Sequence, residues 1–252
     1  MLPLWEVRDP RVARRPPLIV TLLVLANVFA FIGEQAMVEA GATRFPLVYG
    51  LVPQVLTDVD PAHGVLTIFT SMFLHGGWMH LLGNLWFLWI FGRGVEDALG
   101  HARFFGLYLL GGVGAAAAQV GVDPSSTMPM LGASGAISAV MAAYVSLFPW
   151  QRMRTLVPVF IFPLFFNLPA IVFVLEWFAI NLVRGVGALN LEPGAAGGVA
   201  WFAHVGGFLA GLFLVRALFP HDDERPPARR PRGRRVVVRG ERGEEWQSTS
   251  WP

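Results

Sequence analysis

The chain alternates long apolar runs with short polar or proline-rich stretches, and the runs have the length of membrane helices. Leu18 to Gly33 is apolar and ends at Glu34. With modest overhang it makes a first span, since crossing a bilayer takes about 20 mostly apolar residues. No Asp, Glu, Lys or Arg occurs from Gly64 to Gly92. That is more than one helix needs, so the pattern predicts a second span over about 79–97 with 64–78 as an interfacial lead-in. Phe104 to Val122, rich in Gly and Ala, is a third span. A fourth runs from about Gly132 to Phe148, inside an uncharged run from Pro124 to Gln151. A fifth covers about 167–184 and contains Glu176. A sixth runs from about Val199 to Phe219. The expected fold is an all-α membrane protein with a bundle of six transmembrane helices.

The stretches between the runs divide the chain further. Residues 1–16 are polar and basic. Residues 34–63 form a mixed loop, long enough to be functional or partly structured. Arg93, Glu96, Asp97, His101 and Arg103 read as a short polar turn. Pro158 and Pro163 argue against regular helix over 155–166, which is expected to be interfacial. Residues 185–198 are a Gly-rich loop. From Pro220 the composition turns to Arg, Pro, Gly and Glu. Such a tail buries too little apolar surface to fold alone, and disorder is expected. The domains are therefore 1–16, a six-span domain over 17–219, and a tail over 220–252.

Composition supports the bilayer as solvent. Of 252 residues 54% are hydrophobic and 14% charged, against about 25% charged in soluble domains; the mean hydropathy is +0.54. There is no cysteine, which excludes disulfides, thiolate catalysis and cysteine metal sites. The net charge of +2 gives no reason to invoke nucleic acid. No cleavage site follows the first run convincingly, so it reads as an uncleaved helix rather than a signal peptide. All 19 basic residues are arginine. With the N-terminus in the cytoplasm and six crossings, seventeen of them fall on the cytoplasmic side and only Arg44 and Arg184 outside. That strong positive-inside bias puts both termini in the cytoplasm. The absence of lysine suggests a biased bacterial genome, hence a bacterial plasma membrane.

In this topology spans two, four and six all run from outside to inside, and each has a polar residue near its outer end. Span two has His80 and Asn84, one turn apart on one face. Span four has Ser134, between Gly132 and Gly135. Span six has His204. Strongly polar side chains in a bilayer normally face the bundle interior or a water-filled cavity. Ser134 alone reads as a packing residue or as a nucleophile. The small residues Ala203, Gly207 and Gly211 on span six, and Gly135, Ala136 and Ala139 on span four, allow close helix approach. That approach would bring Ser134 to His204, and a histidine that accepts the serine proton activates the hydroxyl. His80, Asn84 and the Ser134 N–H are suitable donors to an oxyanion. His75 reads as structural, and His63 and His101 as solvent-facing. Glu176 either bonds within the bundle or faces a water-filled gate.

These segments together resemble the rhomboid family of intramembrane serine proteases. The matching residues are His75-Gly76-Gly77-Trp78-Met79-His80-Leu81-Leu82-Gly83-Asn84, Gly132-Ala133-Ser134-Gly135, and Ala203-His204-Val205-Gly206-Gly207 with Gly211. The resemblance implies a Ser134–His204 dyad with His80 and Asn84 as oxyanion donors. It implies no metal and no cofactor, and an acyl-enzyme route. The substrates would be single-span membrane proteins, met at a site open to the outer side of the membrane. It also implies that the loop 34–78 is partly embedded, and that span five with the loop 185–198 forms gate and cap. The chain departs from the family pattern at Leu66-Thr67-Ile68-Phe69-Thr70, where a Trp-Arg pair is common. It departs again at Ser138, where some members have a tyrosine that stacks on the histidine; something else must then support His204. A non-catalytic protein of the same fold that binds transmembrane clients is the alternative.

Overall fold

The computed structural model describes residues 1–7, 16–159, 162–189, 200–218, 235–239 and 245–249. It separates into two units, Met1–Leu218 and Phe219–Pro252. The first is predominantly helical. Its long helices are α1 (Leu18–Glu39), α4 (Trp78–Leu99), α5 (His101–Val122), α6 (Ser134–Leu147), α7 (Ala170–Ala188) and α8 (Trp201–Leu218). Two shorter helices, α2 (Phe45–Tyr49) and α3 (Pro61–Thr70), lie between α1 and α4 with a π-helical turn and a 3₁₀ turn. Among the described residues α1, α5 and α7 are long and apolar enough to cross a membrane. A fourth crossing results if α3 with its 3₁₀ turn and α4, bent by 81°, count as one broken span; α6 and α8 are shorter apolar helices.

The core forms where small residues let α6 meet α5 and α8. Every residue from Gly135 to Val145 of α6 is buried. A Cβ at Gly207 of α8 would run into the Gly135 carbonyl oxygen, and one at Gly211 into that of Ala139. On the other flank, a Cβ at Gly111 of α5 would strike Ala139, and one at Gly206 of α8 would strike Ala118 of α5. The three backbones therefore sit closer than side-chain-bearing helices permit.

The stretch expected as a polar turn is helical on both sides of Gly100, where φ is +80°. Its Glu96 is buried (1% exposed) and fully occupied. It accepts from the Ile19 and Val20 amides at 2.7 and 2.9 Å, the unpaired donors that open α1, and bonds His101 at 2.6 Å. One carboxylate thus ties together the starts of α1 and α5 and the end of α4.

The expectation of an all-α protein needs correction. Strands β1 (Leu2–Glu6), β2 (Arg152–Val159) and β3 (Phe162–Pro169) form an antiparallel sheet in the order β1-β2-β3. Pro158 and Pro163 pair with each other next to the hairpin tip, where a missing N–H costs least. Pro158 and Pro163 do exclude helix, but the segment expected to be interfacial pairs as strand. In the second unit, β4 (Arg235–Arg239) and β5 (Glu245–Thr249) pair antiparallel, where disorder was expected; the run Val236-Val237-Val238 is β-branched and suits a strand. Arg8, Arg11, Arg14 and Arg15, residues 190–198 of the expected loop 185–198 and most of the tail lie outside the described residues, while 185–188 of that loop continue α7.

Candidate active site

Ser134 is the first residue of α6, and its position is set by the chain just before it. Met130 bridges to Leu51 by two backbone hydrogen bonds, and the Gly132 amide donates to the Ser71 carbonyl at 2.9 Å. Gly132 has φ +118°, a conformation L side chains rarely adopt. A Cβ there would lie 2.7 Å from His80 Nε2 and 3.4 Å from Asn84 Nδ2. Glycine is needed both for the turn and for room. Helix α6 then begins, so the amides of its first turn have no helical acceptor.

His204 stands near the start of α8. Its Nε2 is 2.8 Å from Ser134 Oγ, which is hydrogen-bond length. Its Nδ1 is 2.6 Å from Asn181 Oδ1 of α7. The two rings nearest it are Trp177 at 5.6 Å and Trp201 at 6.2 Å between centroids. Ser138 takes no part in this support, because its hydroxyl donates back to the Ser134 carbonyl at 2.6 Å. The support of His204 therefore comes from an asparagine and two tryptophans on α7 and the start of α8.

His80 and Asn84 lie on one face of α4 and both reach toward the Gly132–Ser134 turn. Asn84 Nδ2 is buried and has no hydrogen-bond partner among the described residues. An unpaired buried donor is costly unless a ligand or water completes it. His80, Asn84, Ser134, Trp177 and His204 line one cavity of about 520 Å³, whose mouth includes Asp123, Ser126 and Met128 of the α5–α6 loop. All four residues singled out from the sequence therefore meet at one cavity.

Other residues lie apart from it. His75 is fully buried, and its ring is 5.2 Å from that of His80. Its amide donates to Glu34 Oε2 at 2.9 Å, which anchors the lead-in of α4 to the end of α1. His63, expected toward solvent, is bonded through Nε2 to the Val48 carbonyl at 2.8 Å, and His101 bonds Glu96. Glu176 lies 3.6 Å from the Met1 amino group, outside the cavity lining. Sequence reasoning missed Asn181. Its signal was an amide side chain inside an apolar span, which by itself marks a residue turned toward the bundle interior.

Comparison with known proteins agrees with the geometry. The family model described as the Rhomboid domain matches residues 62–221. The chain is 31% identical over 204 residues to the mitochondrial presenilin-associated rhomboid-like protein of Bos taurus, covering 78% of this chain and 47% of that protein. It is 28% identical over 149 residues to RHOMBOID-like protein 5 of Arabidopsis thaliana, covering 58% of this chain and 42% of that protein. A shorter match, 41% over 76 residues, is to the chloroplastic Rhomboid-like protein 11 of the same plant, with 30% and 27% covered. The chain spans less than half the length of these relatives. Several are named for mitochondrion or chloroplast, so they lend no support to a bacterial plasma membrane.

Proposed function

The chain belongs to the rhomboid family, and from that premise we propose that it is an intramembrane serine endopeptidase working through Ser134 and His204. The observation that carries this reading is the 2.8 Å contact between Ser134 Oγ and His204 Nε2, beside a cavity large enough for a peptide segment. The hydroxyl donates to Nε2, which takes the proton as Oγ attacks a peptide carbonyl carbon. Negative charge gathers on the carbonyl oxygen. The Ser134 amide, Asn84 Nδ2 and His80 Nε2 are the donors that receive it, and the unpaired state of Asn84 Nδ2 supports that assignment. The intermediate collapses, the C–N bond breaks, and the proton on His204 goes to the leaving amine. Water then gives its proton to Nε2 and its hydroxide to the acyl carbon, and Ser134 leaves with the proton returned.

The reading extends to a six-span arrangement in which α6 and α8 cross fully and both termini are cytoplasmic. Its support is the distribution of arginines. The cavity mouth at the α5–α6 loop then opens to the outer, arginine-poor side. Substrates are single-span proteins that reach the site from the bilayer.

Labelling of the detergent-solubilised protein with a fluorophosphonate, read by intact mass, tests the assignment. One adduct is expected on the wild type and none on Ser134→Ala or His204→Ala. A folded wild type that takes up neither a fluorophosphonate nor an isocoumarin would instead favour a non-catalytic protein that binds transmembrane clients.

A further inference from the structure

A serine–histidine dyad leaves open what holds the imidazole. It has two neutral tautomers, and only the one with a bare Nε2 accepts the serine proton. Here the choice is made by an amide on a third helix. Asn181 is 4% exposed, and its Nδ2 donates to the Trp177 carbonyl at 2.7 Å. That bond fixes the amide orientation and turns Oδ1 toward His204, 2.6 Å from Nδ1. An amide oxygen only accepts. Nδ1 must therefore carry the hydrogen, and Nε2 is left with its lone pair facing Ser134 Oγ.

Resting on the proposed protease reading, we infer that Asn181 is a positioning residue of the active site, which sets the tautomer and ring plane of His204 from α7. The dyad thereby becomes a chain of three hydrogen-bonded residues, with Asn181 orienting the imidazole from the place a carboxylate takes in soluble serine hydrolases. An amide suits this site because it accepts one hydrogen bond without burying a charge. Two further contacts hold α7 against α8 on either side of the bond. The Arg184 guanidinium lies 5.2 Å from the centroid of Trp201, and the rings of Phe178 and Phe208 are 4.5 Å apart. The three are joined only while α7 is docked on α8, so the helix that borders the cavity also orients the base.

The test compares wild type with Asn181→Leu, which keeps the branched shape and the number of side-chain heavy atoms but loses the acceptor, and Asn181→Asp, which restores an acceptor oxygen. Each is assayed in detergent for fluorophosphonate labelling and for cleavage of a model transmembrane substrate. General-base loss typically costs about 10²–10⁴. Asn181→Leu is therefore expected to lower kcat and the labelling rate by about 10², with KM within about twofold. Asn181→Asp is expected to recover most of that loss. A packing role alone would give no recovery in Asn181→Asp, since a buried carboxylate would be at least as costly as the bulkier leucine. The inference is overturned if Asn181→Leu labels at the wild-type rate. A second readout does not need activity: ring-nitrogen NMR of His204. It is expected to show the hydrogen on Nδ1 in the wild type and a shift toward Nε2–H in Asn181→Leu. A wild type with hydrogen on Nε2 would overturn the inference even if the protein is active. A wild type inert to label but protonated at Nδ1 would overturn the protease reading and keep the role of Asn181.

Discussion

Asn84 presents the most economical test of the oxyanion site at the scale of one residue. Its Nδ2 is buried and has no protein partner among the described residues. Removing an oxyanion donor typically costs about 10²–10³ in kcat. Asn84→Ala should lower kcat by that amount in a substrate cleavage assay and leave KM within a few-fold, because the bond strengthens only as charge develops. A fall in affinity with kcat preserved would make Asn84 a substrate-binding group instead. The residues of this site were readable from the sequence to the extent that each broke an apolar run. Ser134, His204, His80 and Asn84 all did so near the outer end of a predicted span. Asn181 broke one too, but its span also holds Glu176 and Arg184, and without the fold nothing tied one of the three to His204. The positive φ of Gly132 was likewise invisible, since glycines abound around Ser134 for packing alone.

At the scale of elements, the close approach of α6 and α8 decides whether the serine and histidine meet. A Cβ at Gly207 would contact backbone atoms of Gly135 and the Ser138 Cβ. Backbone cannot rotate aside, so the helices must separate. Gly207→Ala is expected to destabilise the protein by about 1–3 kcal/mol, the usual range for overpacking. It should also slow fluorophosphonate labelling, because the 2.8 Å bond spans the same interface. Gly106 of α5 is the control, with open space around its Cα. Gly106→Ala should stay within about 0.5 kcal/mol of wild type, as surface changes do. Thermal melts in one detergent compare the two, and equal effects would mean that the tight α6–α8 contact is not what orders the site. The helices themselves were legible within a few residues, because an apolar run long enough to cross a membrane has few other readings. The sheet was not. Strand β1 exists through its pairing with β2, some 150 residues away, and no local pattern in Leu2–Glu6 announces that partner. A carboxylate at the edge of a span usually faces water, so the sequence places Glu96 in a polar turn, whereas in the fold three donors from two other helices satisfy it.

At the scale of the whole molecule, the proposed topology makes a prediction about which membrane face carries the cavity mouth. Arg93, Arg103, Arg152 and Arg154 sit at the ends of α4 to α6 opposite Ser134, while the α5–α6 loop at the mouth has none. Long arginine side chains are retained on the cytoplasmic side during insertion, so the loop from Asp123 to Leu131 should face outward. The chain has no cysteine, which makes single introduced thiols clean reporters. Thr127 is exposed in that loop, and Trp150, 74% exposed, follows α6 at the opposite end. In intact cells or right-side-out vesicles, Thr127→Cys is expected to react with a membrane-impermeant maleimide at once. Trp150→Cys should react only after permeabilisation. Because α6 separates the two positions, opposite reactivity also requires that this 14-residue helix, about 21 Å long, completes a crossing. Reaction of both thiols from the outside would place α6 within the bilayer without spanning it and remove the six-span arrangement. Reversed reactivity would keep the crossing but turn the cavity toward the cytoplasm, where membrane-anchored substrates would have to present a different flank of their helix to Ser134.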